Sequence, residues 1–269
     1  MKGVEKYAAQ LRENKPIEYA GLSFYPLTVR DYPLYRQATT AMELMQSSLP
    51  PKLARLSWAP CLYEMDKIGR EKVFLPSVLR LMAKALRLEA VEIANGETGY
   101  PVFPLQNKET GALAGILIRD SVCPVVLDAG QMDEIRRILA AQNDYNIPDE
   151  NWNPELVEAQ QYLAEANEPR LAVEIEAWVY AVAVNSRLPA EEIWDWPIRK
   201  FRGYDKAIDR SLGYQIFTLA QATGFAKFEN GAPFPSWRFE KNSALPFGFK
   251  ELGQLEAKAK GQLPEATKI

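Results

Sequence analysis

The feature that most constrains the fold is a helical pattern in the C-terminal half of the sequence. Apolar residues from Ile198 to Leu219 recur every three or four positions, which is the period of one helix face, and only Asp205 and Gln215 interrupt it. Capping residues followed by a first-turn proline mark helix starts near positions 153 and 195. The helices predicted from these signals span residues 154–166, 169–185, 189–194 and 196–222.

The N-terminal part predicts a short β-hairpin followed by three helices. Apolar and polar side chains alternate on both sides of Gly21, from Ile17 to Phe24, as in two short strands joined by a tight turn. Asp31 precedes a proline-containing first turn and can cap the next helix. Helical spacing then continues over residues 34–45, 52–68 and 77–88.

The pattern changes to β-type in the middle of the chain. The stretch "VEIANGETGYPVFPLQNKETGALAGILIRDSVCPVVLD" alternates short apolar runs with the turn sequences "NGETG" and "NKETG", which predicts three or four strands. Helical spacing resumes at Asp128, a plausible cap. We therefore predict a mainly α-helical (α+β) fold: a helical bundle with an N-terminal β-hairpin and a small central antiparallel β insertion. The predicted domains are residues 1–89, 90–127 and 128–269.

The absence of histidine removes many common kinds of active site. None of the 269 residues is a histidine, so Ser-His-Asp and Cys-His catalysis and imidazole metal ligands are excluded. Cys61 and Cys123 form no C-x-x-C motif, and we expect reduced thiols. The loop "NDYNIPDENWN" lacks the glycine of a calcium-binding EF-hand loop. We predict no catalytic residue, metal or cofactor; the carboxylate to check is Glu174, in the most apolar helix.

Charge and hydropathy bear on partners and location. The net charge is −3 and basic residues are scattered, which argues against nucleic-acid binding. The longest apolar run, "LAVEIEAWVYAVAV", is too short to span a bilayer and predicts a buried helix. The charged N-terminus is unlike a secretory signal. We expect a cytoplasmic protein with neither nucleic acid nor membrane as partner.

Aromatic residues cluster at the start of the last helix and after its end. The stretch "ATGFAKFENGAPFPSWRF" follows that helix and is unusually aromatic. Aromatic side chains in such positions either cover the protein's own core or form a groove for a partner. Both interpretations stay open here. The predicted partner-binding residues are Trp194, Trp196, Phe201, Tyr204, Phe234, Trp237 and Phe239.

The segment "SRLPAEEIWDWPIRKFRGYDKAIDRSLGYQIFTLAQATGFAKFENGAPFPSW" resembles the C-terminal part of tail assembly chaperones of long-tailed, siphovirus-type bacteriophages, as found in phages of Gram-positive bacteria. In that pattern a short L-x-x-E-E-I helix leads into a long helix, which ends in G-x-x-K-F before a proline-aromatic segment. The matching positions are Leu188 to Ile193, Pro197 to Ala222, Gly224 with Lys227 and Phe228, and Pro233 to Trp237.

Two further stretches, "IEYAGLSFYPLTVRDYPLY" and "MDEIRRILAAQNDYNIPDENWNPEL", resemble related tail-module proteins. The three stretches cover under half of the chain. The chain departs from the pattern in its greater length and in the β-rich residues 90–127.

The resemblance implies a non-catalytic protein in the cytoplasm of the bacterial host cell. Such chaperones bind the tape measure protein, a long and aggregation-prone helical chain, until tail tube protein displaces them. A homo-oligomer is a further possible partner state. Two alternatives remain at this stage: a structural tail or baseplate component retained in the virion, and a small cytoplasmic enzyme that uses carboxylate or lysine chemistry.

Overall fold

The structure, a computed structural model, describes residues 5–69, 72–92, 98–119, 124–147 and 174–223. Helices dominate these residues and short antiparallel strands interrupt them, so the predicted mainly helical α+β fold is confirmed. By internal contacts the chain divides into two compact units. The first comprises Met1–Glu158 and Pro169–Asp205, and the second comprises Ala159–Glu168 and Lys206–Ile269. The domain boundaries predicted from the sequence stay a prediction.

The predicted N-terminal hairpin is present. Helix α1 (Ala8–Glu13) precedes strands β1 (Ile17–Tyr19) and β2 (Leu22–Phe24), which pair antiparallel. The two turn residues have positive φ, 52° at Ala20 and 76° at Gly21, as a two-residue turn between right-twisted strands requires. The hairpin turns one face inwards, where the paired Ile17 and Phe24 are buried.

Four helices follow the hairpin. They are α2 (Tyr32–Met42), α3 (Pro51–Ala54), α4 (Trp58–Ile68) and α5 (Phe74–Ala85), with short 3-10 turns at Val29–Asp31 and Gln46–Ser48. The single helix predicted over residues 52–68 is wrong, because the helix is interrupted between Ala54 and Trp58. There Asp133 accepts a hydrogen bond from the Trp58 N–H at 3.1 Å and caps a new helix.

Helix α5 begins three residues earlier than predicted. The buried carboxylate of Asp66, on α4, accepts hydrogen bonds from the N–H groups of Val73, Phe74 and Leu75 at 2.8 to 3.0 Å. These are orphan donors of a helix N-terminus, which a carboxylate stabilises. A side chain from the preceding helix therefore sets where α5 starts.

The central strands form two small antiparallel sheets. Strands β3 (Val91–Glu92) and β4 (Thr98–Gly99) pair with each other, and β6 (Leu113–Arg119) lies between β5 (Val102–Gln106) and β7 (Pro124–Leu127). The three-stranded sheet contributes its buried side chains to the same hydrophobic core as the N-terminal helices; these are Val102, Ile116, Ile118 and Leu127.

The remaining described helices are α6 (Ala129–Asn143), α7 (Ile175–Ser186), α8 (Ala190–Trp194) and α9 (Ile198–Ala222). Asp128 caps α6, as predicted, and accepts a hydrogen bond from the Gln131 N–H at 2.8 Å. The predicted helix 154–166 lies outside the described residues. The prediction that the apolar run of α7 is buried is wrong for one face, since Tyr180 and Val184 are exposed. None of the described helices is both long and apolar enough to cross a membrane.

Candidate interaction surface

The start of α9 is fixed by a loop from the opposite end of the sequence. The N–H of Val29 donates to the carbonyl of Trp196, and the N–H of Ile198 donates to the carbonyl of Leu27, both at 2.9 Å. Beside this pairing, Arg30 and Asp195 form an exposed ion pair at 2.6 Å. The first turns of α9 therefore have a defined position in the first unit.

An aromatic column, defined as Tyr145, Tyr35, Tyr32, Trp178 and Phe201, connects α9 to α2 and α7. Successive ring centroids lie 4.3 to 5.7 Å apart, in stacked and edge-to-face arrangements. Such pairs stabilise a fold beyond the area that they bury. The Trp178 indole N–H also donates to a carboxylate oxygen of Asp205 at 2.6 Å, so its polar atom is satisfied. The column is part of the protein's own packing.

Arg202 forms hydrogen bonds beside Tyr35 and Tyr145, at one end of the aromatic column. Its guanidinium donates to the hydroxyl of Tyr35 and, at 2.9 Å, to the backbone carbonyl of Asp144, whose carboxylate lies 3.4 Å away. Burial raises the pKa of Tyr35 to about 12, and it also raises the pKa of Tyr145. Both phenols are therefore neutral near pH 7 and serve as structural hydrogen-bonding groups.

The predicted partner-binding residues differ in their access to solvent. Phe201 is fully buried and Trp196 nearly so, Trp194 is partly buried, and Tyr204 is 42% exposed. Trp196 and Tyr204 lie together with ring centroids 4.7 Å apart, and the Lys200 ammonium lies 3.7 Å from the Trp196 centroid. The structure thus brings Trp196 and Tyr204 together and places Phe201 in the aromatic column. Phe234, Trp237 and Phe239 lie outside the described residues.

Helices α7 and α9 expose large apolar residues that were not among the predicted partner-binding residues. In the second unit, Leu212, Ile216 and Leu219 of α9 are 42%, 65% and 65% exposed. In the first unit, Tyr180 and Val184 of α7 are exposed one turn apart. The helical periodicity that contains Leu212, Ile216 and Leu219 was visible in the sequence. Periodicity identifies the face of a helix, but it does not say whether anything covers that face.

The acidic residues with defined partners have structural roles. Burial raises the pKa of the Asp133 carboxyl, which nevertheless caps α4 through the Trp58 N–H. Glu174, the carboxylate singled out in the sequence, lies exposed at the N-terminus of α7. Within the described ranges, no cluster of three or more acidic or cysteine side chains could hold a metal ion.

Comparison of the chain with protein-family models, with curated proteins and with solved structures found no match.

Proposed function

We propose that this chain is a tail assembly chaperone of a long-tailed bacteriophage, which binds the tape measure protein non-covalently and keeps it soluble during assembly. The observation that carries the proposal is the exposed apolar stripe of α9, defined as Leu212, Ile216 and Leu219. The stripe lies within the segment whose sequence resembles these chaperones.

The spacing of the stripe suits a helical partner. Its residues stand at positions i, i+4 and i+7, so their side chains share one face of the helix. Amphipathic helices dock through anchors with this same spacing. Burying large aliphatic side chains contributes roughly 25 cal/mol per Å² of apolar surface removed from water. An exposed stripe can therefore gain stabilisation when a helix of an aggregation-prone chain covers it.

A small stripe also suits a partner that must later be released. Three aliphatic side chains give a contact well below the area of a permanent interface, which commonly exceeds about 2,000 Å². Several copies of this chain, each bound weakly, would together keep a long tape measure chain soluble. Tail tube protein could then replace each contact in turn. This is non-covalent, stoichiometric binding.

The direct test is co-expression with the tape measure protein of the same phage. We expect the partner to become soluble and to co-purify with the wild-type chain. The triple variant Leu212→Ser, Ile216→Ser, Leu219→Ser should remain folded by circular dichroism and lose the partner. A matched variant on the first unit, Tyr180→Ser with Val184→Ser, should retain it.

Three outcomes would count against the proposal. An insoluble partner beside soluble wild-type chain would remove it, and retention of the partner by the triple variant would remove the α9 stripe as the binding surface. Detection of the chain in purified virions by mass spectrometry would favour a structural tail component instead.

A further inference from the structure

A cleft of about 580 Å³ in the first unit has no part in the proposed function. It lies between the loop that follows β2 and the C-terminal end of α5, and Tyr100 contributes to its wall. A cleft of this volume is within the range that accommodates a small molecule. Its lining combines aromatic rings, from Tyr25 and Tyr100, with charged side chains.

Side chains of both charges line the cleft. The cations Arg30, Lys84 and Arg87 line it together with the carboxylates Asp31 and Glu89. Arg30 is engaged by Asp195 outside the lining, and Lys84 lies 3.4 Å from Asp31.

Arg87 differs from the other two cations. Among the described residues it makes no ion pair. Its guanidinium carbon lies 3.7 Å from the centroid of the Tyr25 ring. Stacking of this kind occupies the face of the guanidinium, whereas its N–H donors lie in the plane and remain able to bind an acceptor.

The carbonyl groups at the end of α5 are already occupied. The carbonyl of Ala85 accepts from the Tyr25 N–H at 2.8 Å, and that of Ala83 accepts from the Leu88 N–H at 3.0 Å. Carbonyls at a helix C-terminus would otherwise repel an anion. Both carbonyls are paired within the protein, so neither is an unpaired acceptor on the cleft side.

The backbone at Arg87 is also unusual for its residue type. Arg87 has φ of +56°, in the left-handed region that favours glycine at the end of a helix. The chain thus carries a guanidinium at a position where the backbone alone would favour no side chain.

We propose that this cleft binds a small molecule bearing an oxyanion, a carboxylate or a phosphate, through the guanidinium of Arg87. Lys84, already paired with Asp31, lies beside this site. The rings of Tyr25 and Tyr100 contact the apolar part of the ligand. Arginine donates two parallel hydrogen bonds to either oxyanion, which gives this site both charge and geometry.

The chain contains a closely matched control at the end of α7. Arg187 also follows a helix with positive φ, +59°, and the next residue, Leu188, donates its N–H to the carbonyl of Ala183 at 3.2 Å. This repeats the arrangement of Arg87, Leu88 and Ala83, but Arg187 does not line the cleft. If each arginine only compensated the charge at the end of its helix, replacing Arg87 and replacing Arg187 would have the same effect on binding.

The experiment compares wild type, Arg87→Gly and Arg187→Gly by calorimetric titration with inorganic phosphate and, separately, with citrate, at constant ionic strength. Glycine suits the positive φ, so both variants should fold with an unchanged or slightly higher Tm. We expect saturable binding of at least one probe to wild type and to Arg187→Gly, and binding at least about tenfold weaker to Arg87→Gly. The probe that binds more tightly identifies phosphate or carboxylate as the preferred group.

The proposal is overturned if neither probe binds wild type saturably. It is also overturned if Arg87→Gly binds as tightly as wild type, or if the two variants lose binding equally, since the effect would then be one of net charge.

Discussion

Helix α5 and the second-unit part of α9 have similar sequence patterns and opposite surroundings. Both carry large apolar residues three or four positions apart, as an amphipathic helix does. On α5 the stripe of Val78, Leu81 and Met82 is fully buried, whereas the α9 stripe is about half exposed or more. Periodicity therefore specifies a helix and its apolar face, while the rest of the structure decides whether that face is covered.

The difference follows from what each helix packs against. Helix α5 contacts α2, α4 and β5, so three elements cover its stripe. Its N-terminus is anchored by Asp66, and its C-terminus is closed by Leu88 and Tyr25. Such coverage comes from residues far away in sequence, which no local pattern contains.

The largest expected effect comes from the covered stripe. Leu81→Ala removes a fully buried side chain and leaves a cavity, so the free energy of unfolding should fall by about 2 to 5 kcal/mol. Urea unfolding followed by circular dichroism measures the change. A loss below about 1 kcal/mol would mean that α5 is not packed as described.

The anchoring of α5 gives the next effect. Asp66→Ala leaves three N–H groups at the start of the helix without their acceptor and should cost about 2 to 3 kcal/mol. The measurement is again the free energy of unfolding. As a control, Glu64→Ala on the same helix removes a carboxylate from a partly exposed ion pair with Lys67 and should cost less than about 1 kcal/mol.

The free energy of unfolding should depend on pH through Tyr35 of α2, whose hydroxyl accepts a hydrogen bond from Arg202 of α9. The pKa of Tyr35 is raised from 10 to about 12 in the fold, so the folded state keeps a proton that the unfolded chain releases. The associated stabilisation is complete below pH 10 and is lost as the pH rises towards about 12. It amounts to up to about 2 kcal/mol after allowance for solvent screening.

The free energy of unfolding measured from about pH 9 to 12 should therefore fall more steeply for wild type than for Tyr35→Phe, which cannot ionise. Parallel curves for the two proteins would contradict the buried environment of this phenol.

The smallest expected effect completes the comparison. Ile216→Ala changes an exposed side chain of α9 and should alter the free energy of unfolding by no more than about 0.5 kcal/mol. The same urea experiment tests it. A cost similar to that of Leu81→Ala would show that the α9 stripe is covered in solution, for example in a homo-oligomer, and sedimentation analysis would then measure the oligomeric state.

Local elements were the predictable part of the fold. The hairpin around Gly21, the cap at Asp128 and the short and long helices before and after Pro197 all have signals within a few residues. Two helix boundaries were mispredicted because the side chains that set them lie outside the local pattern. The break before Trp58 needs Asp133, and the early start of α5 needs Asp66.

The candidate surface was predictable only in part. Tyr204 was identified as a surface candidate and is exposed, but the burial of Phe201 depends on Trp178, which a sequence pattern does not place beside it. The exposed face of α7 was missed because that helix is apolar on most sides, so its composition indicated burial. Exposure is a property of tertiary packing, which a sequence pattern does not contain.

The pairing of residues 27–29 with residues 196–198 has a consequence for folding during synthesis on the ribosome. Arg30 and Asp195, which belong to the same junction, are 165 positions apart in the chain. A ribosome that adds 5 to 20 residues per second needs roughly ten to thirty seconds to cover that interval. During this time the backbone groups of Leu27 and Val29 have no protein partner from residues 196–198 and are hydrated. The N-terminal half of the protein is therefore completed only when translation is well past its midpoint.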